Sequence, residues 1–225
     1  MTNNSALAEK WQELMMPNYG VPAIALSHGK GSYVWDVEGK KYLDLLGGIA
    51  VSVLGHAHSD VAAAISKQAH NLLHTSNLYI HEGEILLAEK LVSQFGSNAK
   101  VFFCQDGATA NEAALKLVRK YQNTQQSNGA KNVIVAMNNG FHGRTSGALA
   151  ITGNPSKRDL FGPFGYEVRF ANFNDISSIR EVMNDDVAAL FVETVQGEGG
   201  MNVGTTEFLV ACQKLANEYN SLFVI

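Results

Sequence analysis

Three glycine-containing loops carry most of the side chains in this sequence whose types and spacing could do chemistry. They cover residues 105–109, 138–145 and 194–200, and each follows an apolar run that is typical of a strand. In an open α/β sheet, ligands bind beyond the carboxyl ends of the strands. We therefore expect the three loops to converge on one edge of a sheet.

The first loop leads into a predicted helix. Gly107 permits a tight turn, and the apolar residues that follow have the 3.6-residue period of a helix face. A strand that turns through a glycine into a helix leaves free backbone N–H groups, and with the helix dipole these bind anions, most often phosphate. An ordinary connection without a ligand has the same pattern, so this loop alone leaves both interpretations open.

The second loop places an aromatic ring, an imidazole and a guanidinium between Gly140 and Gly143 and just beyond. Phe141 could offer a flat face to a planar ligand. Arg144 could bind a carboxylate through two parallel hydrogen bonds. Equally, Phe141 could fill the core and Arg144 could form a surface ion pair.

Two carboxylates lie in or directly before the third loop. Glu193 lies at the end of a predicted strand, and Glu198 lies between glycines. Either could act as an acid–base group, although a solvated loop glutamate is the simpler interpretation of Glu198.

Metal chemistry is not expected. His56 and His58 are two residues apart, and His70 and His74 are one helical turn apart, but neither pair has an evident third ligand. The sequence also lacks the nucleophile-elbow, dinucleotide-binding and P-loop motifs.

The elements that must position these loops alternate between strand and helix after residue 100. Several strands are continuously apolar, which is typical of a parallel sheet buried on both faces, so the pattern predicts a doubly wound α/β fold. The predicted strands are 101–104, 132–138, 167–171, 187–194 and 222–225. The predicted helices are 108–122, 145–151, 175–184 and 205–219.

Earlier residues predict a different kind of structure. Helices are expected at 5–16, from Ser59 to about residue 74, and at 83–95, and the strand signals within 24–46 indicate a small antiparallel sheet. At the other end the chain stops within a predicted buried strand. We therefore expect it to be the N-terminal portion of a longer protein.

Composition excludes some partners. The net charge of −4 and the absence of a dense Lys/Arg run argue against nucleic acid. No run of 18 apolar residues and no apolar leader are present, so no membrane partner is expected. Cys104 and Cys212 are predicted to be buried free thiols, which suits a reducing cytoplasm.

Taken together, six motifs in order identify a family. The chain resembles the class III aminotransferases, which use pyridoxal 5'-phosphate and have the fold type I architecture, and most closely their branch that acts on N2-acetyl-L-ornithine. The motifs are residues 44–51, 55–58, 74–79, 107–116, 141–145 and 192–200.

The resemblance implies a role for each candidate residue. Gly107 and Ala108 would bind the cofactor phosphate, with Asp106 beside them. Phe141 would stack on the pyridine ring, with Glu193 close to it. The substrate-binding pair would consist of Arg144, which holds an α-carboxylate, and Glu198, which helps to discriminate between the two half-reaction substrates.

Family resemblance also implies a domain division and several partners. Residues 1–50 would belong to the small domain, as an α+β segment, and 51–225 to a truncated cofactor-binding domain with an incomplete sheet. The partners would be amino acid and 2-oxo acid substrates and, for the full-length protein, a second copy in a homodimer. The family's pyridinium-binding aspartate and Schiff-base lysine would lie beyond Ile225, so no catalytic residue is expected within this chain and the chain alone should be inactive.

One position departs from the family pattern. Where the family usually has a serine that binds the phosphate, this chain has Asp106, and Thr109 replaces a nearby acid. A carboxylate beside a phosphate is repulsive, so we expect weaker cofactor binding than in relatives.

Several activities remain open at this point. Acetylornithine transamination to 2-oxoglutarate in arginine biosynthesis is the leading interpretation. An ornithine, succinylornithine or 4-aminobutyrate aminotransferase, and a non-catalytic homologue with a weakened phosphate site, are the alternatives.

Overall fold

The structure is a computed structural model, and it describes residues 3–125 and 131–225. The chain divides into two compact units, one up to Glu89 and the other from Lys90 onward. The boundary that the resemblance implies, at residue 50, remains a prediction.

The first unit contains a three-stranded antiparallel sheet in the order β1-β2-β3. Its described elements are α1 (Asn4–Leu14), β1 (Leu26–Lys30), β2 (Tyr33–Asp36), β3 (Lys41–Leu43), α2 (Gly47–Ala50) and α3 (Ser59–Asn71). A 3-10 turn at Ser76–Leu78 follows, and α4 (Glu82–Phe95) crosses the boundary between the units. The antiparallel sheet and the helices predicted from the sequence are therefore present, with ends that differ by a few residues.

Asp36 connects the elements of the first unit. Its side chain is almost fully buried, yet both carboxylate oxygens are hydrogen-bonded. The donors are the Asn4 amide at 3.1 Å, the Tyr42 hydroxyl at 2.8 Å and the N–H groups of Glu38 and Lys40, each at 2.9 Å. Burial raises the pKa of Asp36, but these hydrogen bonds together hold it below its ordinary value.

The second unit is an α/β layer structure. Its elements are α5 (Gly107–Gln125), β4 (Val133–Met137), α6 (Ser146–Ala150), α7 (Pro155–Arg158), β5 (Glu167–Ala171), α8 (Ile176–Val182), β6 (Val187–Phe191), β7 (Val195–Gln196), β8 (Asn202–Val203), α9 (Thr206–Glu218) and β9 (Leu222–Val224). The main sheet has the order β5-β4-β6-β9, and every pairing in it is parallel. The predicted doubly wound parallel sheet is confirmed.

Helices cover both faces of this sheet. Strands β4 and β6 are buried at every residue, and along β4 alternate side chains face opposite layers. Leu115 and Val118 of α5 pack on one face, whereas Phe208 and Leu215 of α9 pack on the other. Because helices cover both faces of the sheet, every side chain of β4 and β6 is buried. This explains why both strands are continuous apolar runs.

The predicted strand at 101–104 is wrong. Within the described residues this segment pairs with no strand, and its two phenylalanines are exposed, Phe102 by 72% and Phe103 by 42%. Residues of high β-propensity do not form a strand when no neighbouring strand provides partners for their backbone hydrogen bonds. Cys104 in this segment is half-buried instead of buried, whereas Cys212 is buried as predicted and its pKa is raised to about 12 by that burial.

We expect Asp36→Asn to lower the melting temperature of the first unit by several degrees near neutral pH, because the amide cannot replace a carboxylate that accepts four hydrogen bonds. The folded-state pKa lies below the unfolded value of about 3.9, so the stabilisation is present above that value and is lost as the pH falls through the folded-state pKa. Trp11 and Trp35 are the only tryptophans, so their fluorescence reports on this unit. The exposed Asp60→Asn is the control, and equal melting of the two variants at neutral pH would contradict the role of Asp36.

Candidate functional site

The three predicted loops do meet at the carboxyl ends of the parallel strands. The Phe141 N–H donates to the Glu193 carboxylate at 3.2 Å, which joins the second loop to the end of β6. The Gln196 amide donates to the Asn138 carbonyl at 2.9 Å. Gly143 contacts Ala108 so closely that a methyl group added to the glycine would lie 2.6 Å from the alanine Cβ.

Asp106 caps the N-terminus of α5. Its Oδ1 accepts a hydrogen bond from the Thr109 N–H at 2.7 Å and lies 3.1 Å from the Thr109 hydroxyl. These contacts, the backbone one first, lower the pKa of Asp106, and the carboxylate is exposed to solvent. The Gly107 N–H has no acceptor among the described residues and remains free at the helix start. The helix therefore presents a donor to a ligand beside a fixed negative charge.

The Phe141 ring is half-buried and has two cations near it. The guanidinium carbon of Arg144 lies 5.8 Å from the ring centroid, and the Lys157 ammonium lies 5.9 Å from it. Arg144 is exposed and has no ion-pair partner among residues 3–125 and 131–225. The guanidinium is thus available to an acidic ligand, and the surface ion pair considered for it from the sequence is not observed.

A cavity of about 320 Å³ lies beside Phe141. Glu193 is in its wall, and burial raises the pKa of this carboxyl despite the opposing hydrogen bond from the Phe141 N–H. His142 also lines the cavity and is only 7% exposed, and its Nε2 is buried without a hydrogen-bond partner in the described structure. Burial lowers the pKa of His142 to about 4, so the imidazole is neutral at pH 7.

Glu198 borders a second, smaller cavity of about 140 Å³. Its carboxylate lies 3.6 Å from the Lys157 ammonium, and both side chains are partly exposed. Phe141 lines this cavity as well as the larger one. The sequence pattern did not single out Lys157, because its proximity to Glu198 depends on the tertiary fold.

The described part of the chain contains no group of three or more side chains suited to a metal ion. Among its helices, none is both long and apolar enough to cross a membrane.

A family model for class III aminotransferases matches residues 14–225, which is nearly the whole chain. The chain belongs to the class III aminotransferase family. Enzymes of this family depend on pyridoxal phosphate.

Individual relatives agree with this assignment. Acetylornithine aminotransferase of Mycolicibacterium smegmatis is 43% identical over 219 residues, which cover 97% of this chain and 54% of that protein. The solved structure of ornithine aminotransferase from Toxoplasma gondii has a TM-score of 0.88 at 31% identity and covers 99% of this chain and 53% of its own. For N-acetylornithine aminotransferase of Stenotrophomonas maltophilia the TM-score is 0.76 at 32% identity, with 95% and 52% covered. The chain spans about half the length of the relatives it matches.

The sequence patterns did not single out two groups of residues beside the candidate site. Lys157 is one, and the other is the pair Asn111 and Glu112 in the second turn of α5. Asn111 contacts the second loop, and Glu112 contacts the start of α6 directly after it. Both residues of the pair lie within the family motif at 107–116, but the motif assigned neither of them a role.

We expect the buried His142 to titrate near pH 4 in an NMR titration. Its folded-state pKa lies below its ordinary value of 6.5, so between pH 6.5 and about 4 the unfolded chain binds more protons and stability falls as the pH is lowered. The loss should reach roughly 3 kcal/mol at the acid end of that window.

The variant His142→Gln should remove this part of the acid sensitivity of the second unit, and His74→Gln should leave it in place. Circular dichroism over the same pH range measures both. An unchanged acid slope in His142→Gln would contradict the assignment.

Proposed function

We propose that this chain supplies the phosphate and ring contacts for pyridoxal phosphate in an aminotransferase that moves the amino group of N2-acetyl-L-ornithine to 2-oxoglutarate. The observation that carries the proposal is the convergence of a helix N-terminus, an aromatic ring and a half-buried carboxyl at one sheet edge. The helix start is at Gly107, the ring is Phe141 and the carboxyl is Glu193.

The described residues fit this cofactor. Its phosphate requires N–H donors, and Gly107 has a free one at the start of α5. Its planar ring requires an apolar face and a space, which Phe141 and the cavity of about 320 Å³ provide. The unpartnered Nε2 of His142 gives that cavity a buried polar atom, and such atoms normally have a partner.

When bound, pyridoxal phosphate acts as an electron sink for the bond that breaks at the substrate carbon. The residues of this chain bind and orient the reactants. Arg144, exposed and free of an ion pair among the described residues, holds the substrate carboxylate. Glu198 distinguishes the two half-reaction substrates, because its carboxylate repels an acidic side chain unless a cation such as Lys157 neutralises it.

Self-association into a homodimer is part of the same proposal. Residues 45–54 of the first unit include six apolar side chains that are each at least 62% exposed. Exposed apolar surface of this extent is typical of a protein interface.

Acetylornithine is favoured over the other amino donors by the names of the sequence relatives alone. The structural neighbours include both ornithine and acetylornithine aminotransferases, so the fold does not separate these substrates. A non-catalytic homologue is the second candidate, and the observation that favours it is the carboxylate of Asp106 at the phosphate position.

The direct test is amino transfer to 2-oxoglutarate by the protein expressed from its complete reading frame. We expect kcat/KM for N2-acetyl-L-ornithine to exceed that for ornithine, succinylornithine and 4-aminobutyrate by about tenfold or more. Arg144→Lys should raise KM for the amino donor about tenfold, because an ammonium cannot bind a carboxylate in the bidentate manner, and the exposed Arg180→Lys is the control. Higher kcat/KM with another donor would favour that donor, and cofactor binding without transfer would favour the non-catalytic homologue.

A separate prediction concerns Asp106. We expect Asp106→Ser to tighten pyridoxal phosphate binding about three- to tenfold at low salt and less at high salt, because the variant removes an exposed charge beside the phosphate. Serine is also a good N-cap, so α5 should remain formed.

Asp175 provides the matched control, since it caps α8 in the same way, by accepting from the Ser178 N–H at 3.0 Å. Asp175→Ser should leave cofactor affinity unchanged in the same equilibrium dialysis experiment. Equal affinities for the wild type and Asp106→Ser would show that the carboxylate does not oppose the phosphate.

A further inference from the structure

The loop that carries Phe141 and Arg144 is attached to α5 at two points. The Asn111 side-chain amide donates to the His142 carbonyl at 2.8 Å. The Glu112 carboxylate accepts from the Gly147 N–H at 2.7 Å and from the Ala148 N–H at 3.3 Å. These bonds lie on either side of Arg144, so neighbouring residues of one helix hold both ends of the segment that contains it.

Close backbone approach reinforces this attachment. Gly143 has φ of +133° and lies against Ala108, in the first turn of α5, with room for no side chain. Gly147 lies equally close to the Glu112 carboxylate, where an added Cβ would be 2.4 Å from Oε2. The loop therefore contacts the first turn of α5 as well as the second.

We propose that Asn111 and Glu112 are positioning residues, which set Phe141 and Arg144 at a fixed distance from the free N–H at the start of α5. This inference rests on the proposed function. Pyridoxal phosphate has its ring and its phosphate at a nearly fixed separation, so both contacts form together only if the loop and the helix start keep their spacing. Displacements of about 1 Å at such a site have large effects on binding and rate.

The packing of α5 does not depend on these two side chains. The helix is held on the sheet by Leu115 and Val118, and the buried Gln122 donates to the Ala188 carbonyl at 3.2 Å. All three residues lie beyond Glu112 along the helix. Removal of Asn111 or Glu112 should therefore release the loop and leave the helix and its N-terminus in place.

The test compares two probes that share a phosphate but differ in the ring. We expect Asn111→Ala and Glu112→Ala to weaken binding of pyridoxal phosphate about tenfold, and to change the affinity for inorganic phosphate by no more than about twofold. Glu112→Gln should recover part of the loss, because its amide oxygen can still accept from the Gly147 N–H. Asn123→Ala, at an exposed position on the same helix, is the control and should bind both probes like the wild type.

Amide hydrogen exchange of the ligand-free protein gives a readout that does not depend on the cofactor. Exchange at Gly147 and Ala148 should become faster in Glu112→Ala, whereas exchange in the centre of α5 should not change. Faster exchange with unchanged pyridoxal phosphate affinity would overturn the positioning role and leave the proposed function intact. An equal loss of affinity for pyridoxal phosphate and for inorganic phosphate in the alanine variants would also overturn the positioning role, since the start of α5 itself would then be altered. Failure of the wild type to bind either probe would instead refute the proposed function and, with it, this inference.

Discussion

Complete burial of β4 and β6 is the constraint on which the second unit depends. Every residue of both strands is buried, so the sheet needs a helical layer on each face, and α5 and α9 provide those layers. Polar groups cannot lie within such strands without partners, and they are therefore concentrated in the loops at the strand ends. Parallel pairing then brings these loops to one edge. The location of the candidate site thus follows from the way the core is built.

Asp106 shows that stability and anion binding make opposing demands on the start of α5. The carboxylate stabilises the helix by accepting from Thr109, and its negative charge complements the helix dipole. The same charge occupies the position where a phosphate would gain from that dipole. A neutral cap such as serine would satisfy the helix without this conflict. Asp106 therefore stabilises the helix but opposes the binding of a phosphate. This opposition is the physical reason for considering a non-catalytic homologue.

Features that depend on a local sequence pattern could be predicted from the sequence. Features that depend on contacts between residues far apart in the sequence could not. Continuous apolar runs correctly located β4 and β6, because burial on both faces leaves a clear signal. The run at 101–104 has a similar composition but no neighbouring strand in the described structure, so composition alone misled. The contact between Glu112 and Gly147 spans 35 residues, and that between Lys157 and Glu198 joins two distant segments. No local spacing encodes such contacts, and the roles that the family motifs imply for Phe141, Arg144 and Glu198 stay predictions.

The two ends of the site differ in burial, and this difference suits different tasks. At the cavity beside Phe141, the imidazole of His142 is buried and the carboxyl of Glu193 is half-buried, so water weakens their interactions with a bound group less. Arg144 and Glu198 are exposed, and water weakens their interactions. On the proposed function, the buried end binds a cofactor common to the whole family and the exposed end selects the substrate. Substrate preference can then change through exposed side chains, while α5 and the loop attached to it continue to hold the cofactor in the same geometry.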